Sequence, residues 1–437
     1  MEVQIYVRLA LKIPDNEEIP IAQLTHAVKG QQIEKRVLEG TIQKINDTII
    51  EQLCGEKSEQ GNGQKPFQRA GTTTRSPVTI FGELDLRLSK VKNISNNTTS
   101  IPLYQSIAFD GKRKFQPDIG IVVVDLSQKL SYRDVVTEVS LFFDVVPTPT
   151  TINQRVVEYG EKIPIKTENG KISVGIGDGT KCHSQEPGCK QNRVNVLIGV
   201  NDGKKTLLGV TVNKPWEDIA KTIETDNAFA EYATIVSDGE KELRSAFSDE
   251  KRQFQMDLIH AFRMLSFKLW EDKQLDFEER KKLVNELKKV VLSLKNVVIY
   301  QKADKEKIKT KISSTLEDLK RIAKELKEKR CYKSAEFIRE YSNAMVTFAR
   351  LAIEGIIIPW TSNIIERLMG EISKRVKHKW MRWTTRGLEA ILRLILVRYT
   401  DTQAYNTFRD EILGRTPNNR VSCIVSITKV QVGLSIG

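Results

Sequence analysis

Apolar and polar residues alternate over residues 1–13 ("MEVQIYVRLALKI"), a period of two that predicts a strand. Over 20–53 the spacing changes to three and four. Leu24, Val28, Ile33, Val37, Leu38, Ile42 and Ile45 then predict a helix, which also carries His26. A polar, Gly-containing linker follows at 55–66, and "TRSPVTIFGELDLRLSKVK" (74–92) reads as a hairpin turning at Phe81-Gly82. Segment 129–161 predicts two helices separated by a Pro and Thr break. That spacing suits a helix-turn-helix laying its second helix in a major groove, and it equally suits a packed helical hairpin.

From 171 the pattern changes again. "KISVGIGDG" is a strand, and "RVNVLIGVNDGKKTLLGVTV" (193–212) is two strands joined through Asn201-Asp202-Gly203, a strong hairpin signal. A helix from Pro215, the strand "ATIVS" (233–237) and a helix after Gly239 come next, then a short strand or helix over 254–270. Residues 276–352 repeat Leu, Val and Ile at helical spacing with Lys and Glu between them. Three strands, the last pair antiparallel, followed by helix, strand, helix, is similar to the order of the RNase H-like fold.

Charge changes the picture. The 437 residues carry 69 Lys plus Arg against 56 Asp plus Glu, a net +13 that argues for a polyanionic partner, nucleic acid before membrane. Residues 271–330 hold 18 basic and 12 acidic side chains and residues 363–399 hold 9 and 3, so each has a surplus of six. Five cysteines (Cys54, Cys182, Cys189, Cys331, Cys423) form no framework and suit a reducing compartment. The first residues are interrupted by charges and are expected to be neither signal peptide nor anchor. No run approaches the roughly 18 apolar residues that span a bilayer. The expected location is the cytoplasm, on the nucleoid.

Asp-Gly occurs four times, at Asp110, Asp178, Asp202 and Asp238. Asp202 belongs to its hairpin and Asp110, in "AFDGKRKF", to another turn. Asp178 and Asp238 each close a strand, and in this order those strands are neighbours and parallel. Strands about 4.8 Å apart would let two such carboxylates share a divalent cation, although a turn role also explains each residue. Gly175, Gly177, Gly179 and Gly239 would leave room for a phosphate. A third acid, Glu366 in "PWTSNIIERLMGEISKRVKHKW" (359–380), lies off the apolar stripe of Ile364, Ile365, Leu368, Met369, Ile372 and Val376. Asn363-x-x-Glu366 has capping-box spacing. A cap explains neither Gly370 one turn on nor the basic continuation in Arg367, Lys374, Arg375, Lys377 and Lys379.

Asp178, Asp238 and Glu366, the last in "TSNIIERLMGEISKR", resemble the Asp-Asp-Glu triad of Mutator-like transposases, spaced 60 and 128 residues apart. That family carries a Cys-x-x-His box and a basic residue after the second Asp. "QMDLIHAFR" matches at His260 and Arg263 and has Asp257 in place of Cys. The resemblance covers about 170–400. It implies an α/β RNase H-like catalytic core with a large all-α insertion between the second Asp and the Glu, and an N-terminal α+β and helical DNA-binding region. The expected division is 1–128, the helix-turn-helix-like 129–165, core 166–270, insertion 271–355, core 356–414 and a tail at 415–437, which has no functional account.

The implied function is cutting transposon ends and joining their 3′-OH groups to target DNA. Asp178, Asp238 and Glu366 would hold Mg²⁺ or Mn²⁺, hard ions suited to carboxylate oxygens, with His260 catalytic beside them. Arg263, Arg367, Lys374, Arg375, Lys377 and Trp380 would contact DNA; Trp380 and Trp383 could instead pack in a core. Partners would be terminal inverted repeats, target DNA and a second copy of the chain, with no membrane. Two rivals share the residues: a structure-selective nuclease that cleaves without joining, and a non-enzymatic domesticated DNA-binding protein. Cys182, His183 and Cys189 match no zinc module and read as loop residues. His26 and His378 need no function.

Overall fold

The computed structural model describes residues 4–11, 19–27, 33–55, 66–107, 109–165, 170–201, 203–247, 252–300, 304–377 and 381–414. The chain divides into two units, Met1–Arg155 with Thr407–Gly437, and Val156–Asn406. The division falls inside the expected 129–165 segment. The 55–66 linker from residue 56 to 65, Asp202, His378, Trp380 and the tail lie outside the described residues.

In the first unit, β1 (Gln4–Leu11) pairs antiparallel with β2 (Ile19–Ala27), and α1 (Ile33–Gly55) follows. The expected helix over 20–53 therefore starts at Ile33, and His26 lies on a strand. Leu24 and Val28 fit either period, but β1 offers backbone partners to residues 19–27 that a lone helical turn would not need. β3 (Phe67–Arg75), β4 (Val78–Thr79), β5 (Gly82–Glu83), β6 (Leu86–Asn93) and β7 (Thr99–Ser100) come next. β3 pairs β6 antiparallel from Phe67↔Asn93 to Arg75↔Leu86, so the hairpin expected over 74–92 is the inner end of a longer one. Gly82 takes φ +104°, a conformation that suits glycine at the tight β4–β5 turn. Leu84, Leu86 and Leu88 form a core with Ile42 of α1 and Leu103 of α2 (Leu103–Ser106).

α3 (Pro117–Ser127), α4 (Tyr132–Ser140) and α5 (Pro149–Lys162) complete the run. Ser131 caps α4 by accepting the Asp134 N–H, and the Thr148 hydroxyl accepts the Thr151 N–H at the start of α5. Asp110 is a turn residue: it accepts the buried Arg155 guanidinium at 2.6 Å and Arg113 at 3.2 Å. Burial works against its ionised form, yet the two arginines hold its pKa below the usual carboxylate range. The second half of α5 belongs to the other unit, where Val156, Tyr159 and Ile163 are buried. Gly160 is closed over as well, since a Cβ there would lie 2.4 Å from the Ala390 carbonyl oxygen. Of α5, Pro149, Thr150, Gln154, Glu161 and Lys162 are exposed, and the rest of the helix is buried or half-buried.

The second unit is α/β, built on a five-stranded mixed sheet ordered β10-β9-β8-β11-β12. Its strands are β8 (Ile172–His183), β9 (Gln191–Asn201), β10 (Lys204–Val212), β11 (Phe229–Ser237) and β12 (Gln253–Met256). β8, β11 and β12 are mutually parallel, while β9 runs antiparallel to both of its neighbours. α6 (Trp216–Thr225) links β10 to β11, and α7 (Lys241–Ala246) links β11 to β12. Trp216, Ile219, Ile223 and Leu243 from these two helices, with Phe247 just after α7, form one core with Leu197, Leu208, Phe229 and Ile235 of the sheet.

Then come α8 (Leu258–Asp272), α9 (Phe277–Tyr300), α10 (Lys305–Glu328), α11 (Tyr332–Met345), α12 (Thr347–Ile353), α13 (Asn363–Val376), α14 (Thr385–Thr400) and α15 (Thr402–Ile412). α13 packs on β8 and α14 on β10. The 254–270 stretch is thus both alternatives in turn, strand then helix. Among the described residues no helix is long and apolar enough to cross a membrane.

Candidate active site

Parallel pairing sets the site. Ile176 is opposite Val236, and Val236 is opposite Gln255. Two residues beyond that row stand Asp178, Asp238 and Asp257, level with one another where the parallel pairing of three adjacent strands, spaced about 4.8 Å apart, comes to an end. Such ends are where open α/β sheets place their ligands. Asp238 and Asp257 follow the last residues of β11 and β12, but β8 continues past Asp178 to His183 through its pairing with β9. Asp178 therefore does not close its strand, as the Gly-rich sequence suggested; it ends only the parallel half of the pairing.

The glycines beside it are also explained differently. A Cβ on Gly177 would lie 2.2 Å from Leu243 Cδ1, and one on Gly175 2.8 Å from Ile235 Cδ1. These two residues let α7 and β11 close on β8 and leave no space for a phosphate. A Cβ on Gly179 would make ordinary contact with Glu240 Oε2 at 3.5 Å and Asn195 Oδ1 at 3.6 Å, whereas Gly239 takes φ +94° and a Cβ there would lie 2.9 Å from Met256 Sδ. The turn at Gly239 is held by Tyr341 of α11, whose hydroxyl donates to the Gly239 carbonyl at 3.1 Å. Asp238 Oδ1 accepts the Glu240 N–H at 3.0 Å within the same turn.

Burial, and then the neighbouring Asp238 carboxylate, push the Asp178 pKa up to about 6; Glu366 adds to the rise. The Gly179 N–H donated to its Oδ1 at 2.7 Å and the charge of His260 act in the opposite direction. Glu240, also raised, chiefly by burial, accepts the Trp216 Nε1–H at 3.1 Å and an ion pair from Arg193.

Asp257 is fully buried, and its two oxygens are fully used. Oδ1 caps α8 by accepting the N–H groups of Ile259 (2.7 Å) and His260 (3.0 Å). Oδ2 accepts from both the N–H (2.6 Å) and the hydroxyl (2.5 Å) of Ser362, the residue before α13. Burial alone would raise its pKa. His260 and Ser362 outweigh burial and bring it down to about 2. His260 Nδ1 stands 3.4 Å from Asp257 Oδ2 and 3.8 Å from Glu366 Oε1. Its pKa is raised, first by Asp257, against the effect of burial.

Asp257, His260 and Glu366 each bring one ligand-type atom within 4.8 Å of the others. Glu366 lies one turn into α13 and makes no capping box. Ser362 is the cap residue, its hydroxyl is given to Asp257, and the Glu366 N–H goes to the Ser362 carbonyl. Gly370 faces open space, so packing does not demand it.

Of the residues expected to meet DNA, Arg263, Arg367, Lys374 and Lys377 are exposed, with Lys374 paired to Glu371 at 2.6 Å. Arg375 is buried, its guanidinium 4.7 Å from the centre of the Trp383 ring. It belongs to the core and not to the basic surface, because α13 turns it inward with Val376. Trp383 is buried too and donates Nε1–H to the Val376 carbonyl, which settles its packing alternative. Cys182 and His183 lie on β8, not in a loop. Cys182 is buried, which raises its thiol to about 11, whereas Cys189 is exposed. Thr361-Ser362-Asn363 reads in sequence only as a helix cap, which Ser362 is, and Tyr341 and Glu240 receive no role from it. No protein-family model matches the chain, and no curated protein sequence matches it either.

Proposed function

We propose that the chain is a metal-dependent DNA transposase with an RNase H-like catalytic core, related to the Mutator-like family that its acids resemble. The observation that supports this reading is the register that sets Asp178 level with Asp238 at neighbouring parallel strands, with the charges of His260 and Glu366 acting on Asp178, although the acids whose ligand atoms lie within 4.8 Å of one another and of His260 are Asp257 and Glu366. Counted from β8, the sheet runs 3-2-1-4-5 with the second strand antiparallel, and helices α9–α12 stand between the second Asp and the Glu as an all-α insertion would.

Mg²⁺ or Mn²⁺ fits this donor set on two grounds: the ligands are hard carboxylate oxygens, and Asp178 is held partly protonated by burial and by Asp238, a penalty that a cation relieves. Asp178, Asp238 and Glu366 would be the residues that hold the ion, which when bound would supply Lewis-acid stabilisation of the charge on the phosphate and its attacking oxygen. The chain's own residues do the rest. His260, whose pKa is raised first by Asp257, would set a positive charge among the carboxylates when protonated. Exposed Arg263, Arg367, Lys374 and Lys377 flank the cluster in sequence and are suited to holding phosphates. Transposon ends and target DNA are the proposed substrates, worked on by a dimer or larger assembly, at the nucleoid.

The test incubates the full chain with DNA spanning the boundaries of its own genomic copy, with Mg²⁺ or Mn²⁺. Nicks at the boundaries and joined products are expected from the wild type, and neither from Glu366→Gln, which should still fold and bind DNA because no cap is lost. Nicks without joining assign the chain to structure-selective nucleases. DNA binding with no metal-dependent cleavage refutes the enzyme and leaves a DNA-binding protein.

A further inference from the structure

We infer that Asp257 is a positioning residue that holds His260 and Glu366 in register through a single buried carboxylate; the inference rests on the three-carboxylate reading of the site. Asp257 is 0% exposed and follows β12 directly, anchored by its own N–H to the Ser237 carbonyl at 2.8 Å, one residue before Asp238. It is thus tied to the strand that delivers Asp238. From that fixed point it holds two helix starts at once: Oδ1 takes the first free N–H groups of α8, on which His260 is the third residue, and Oδ2 takes both donors of Ser362, four residues before Glu366.

Helices begin with N–H groups that lack partners inside the helix, and a carboxylate is well suited to take them. Here one carboxylate serves both helices, so α8 and α13 cannot shift independently without leaving buried donors unmet. The chain separation between Asp257 and Ser362 is 105 residues, filled by α8 to α12. Besides the packing of α13 on β8 and the Leu258 N–H donated to the Trp360 carbonyl at 3.2 Å, this clasp is what fixes the start of α13, and with it Glu366, to the strand end that delivers Asp238. Four accepted hydrogen bonds also leave Asp257 no free lone pair directed at a ligand, so it supports the ion-binding acids and is not one of them, although His260 and Glu366 lie close by. This gives a physical role to the position where the resembled family carries Cys: a thiol could cap α8 weakly but could not accept two further donors from Ser362.

The experiment compares Asp257→Asn, Ser362→Ala, their double variant and Glu366→Gln in the full chain. Three quantities are measured: the Mn²⁺ concentration giving half of the metal-induced rise in melting temperature without DNA, the DNA dissociation constant in chelator, and the metal concentration for half-maximal cleavage. Asp257→Asn puts a donor against the Ser362 N–H, and it is expected to raise both metal half-points by about 10- to 100-fold, as loss of a supporting residue does. DNA affinity in chelator should stay as in wild type. Ser362→Ala should move the half-points the same way but less, and it decides the matter if Asp257→Asn fails to fold. The double variant should be no worse than Asp257→Asn alone. Wild-type half-points in Asp257→Asn and Ser362→Ala, with Glu366→Gln shifted, overturn the positioning role and leave the three-carboxylate reading standing. An unshifted Glu366→Gln overturns that reading, and the role with it.

Discussion

Replacing Asp178 by Asn should make the protein more stable and inactive. Asp178 lies beside Asp238 and is half-buried, and its pKa rises from 3.8 to about 6. For an acid whose folded pKa lies above its unfolded one, the native state keeps a proton between pH 4 and 6 that the unfolded chain has released. Stability therefore falls as pH rises through that window, and the deficit is complete above about pH 6. Two pKa units at about 1.4 kcal/mol each give close to 3 kcal/mol, which residual solvent contact reduces to roughly 2 kcal/mol.

Asn retains an oxygen for the Gly179 N–H and carries no charge. In a unit of this size about 2 kcal/mol corresponds to a gain of roughly 4–8 °C in melting temperature at pH 7. At pH 4, where the wild-type carboxyl is already protonated in the fold, the gain should vanish. Melts followed by circular dichroism in chelator at pH 4, 5.5 and 7 give the comparison. A variant no more stable than wild type at pH 7, or equally stabilised at both extremes, would refute the electrostatic account of the site.

Gly177→Ala is expected to cost about 1–3 kcal/mol, because its methyl would meet Leu243 Cδ1 at 2.2 Å, whereas Gly370→Ala, which meets nothing, should stabilise α13 by up to about 1 kcal/mol; denaturant titration of both variants checks this. Asp257, with its folded pKa lowered to about 2, contributes stability that is present above about pH 4 and lost as pH falls toward 2, so Asp257→Asn should flatten the acid end of a stability–pH curve. Arg375→Ala should lower stability by about 1–3 kcal/mol through loss of its Trp383 contact while leaving the salt dependence of DNA binding alone, and Lys377→Ala should do the reverse; melts and binding titrations across salt concentrations separate the two.

Local chemistry wrote much of this molecule into its sequence. Alternation marked β1, β8, β9 and β10, Asn201-Asp202-Gly203 marked the β9–β10 hairpin, and three- and four-residue spacing marked α9 to α14, because each of these patterns is a property of neighbours in the chain. The same locality misled wherever one pattern served two structures. Residues 19–27 have apolar spacing that suits a helix, and pairing with β1 made them a strand. Gly175 and Gly177 look like ligand room beside an acid, and their actual neighbours are Ile235 and Leu243, 60 and 66 residues away. Asn363-x-x-Glu366 has the spacing of a cap, but a cap depends on where the helix starts, and Ser362 starts it. Arg375 and Lys377 are equally basic in sequence, and only the rotation of α13 against Trp383 buries one and exposes the other. The acids could be named from their residues. That Asp178, Asp238 and Asp257 stand level, and that one buried carboxylate ties α8 to α13, follows from strand register and from a hydrogen bond spanning 105 residues, neither of which any local pattern encodes.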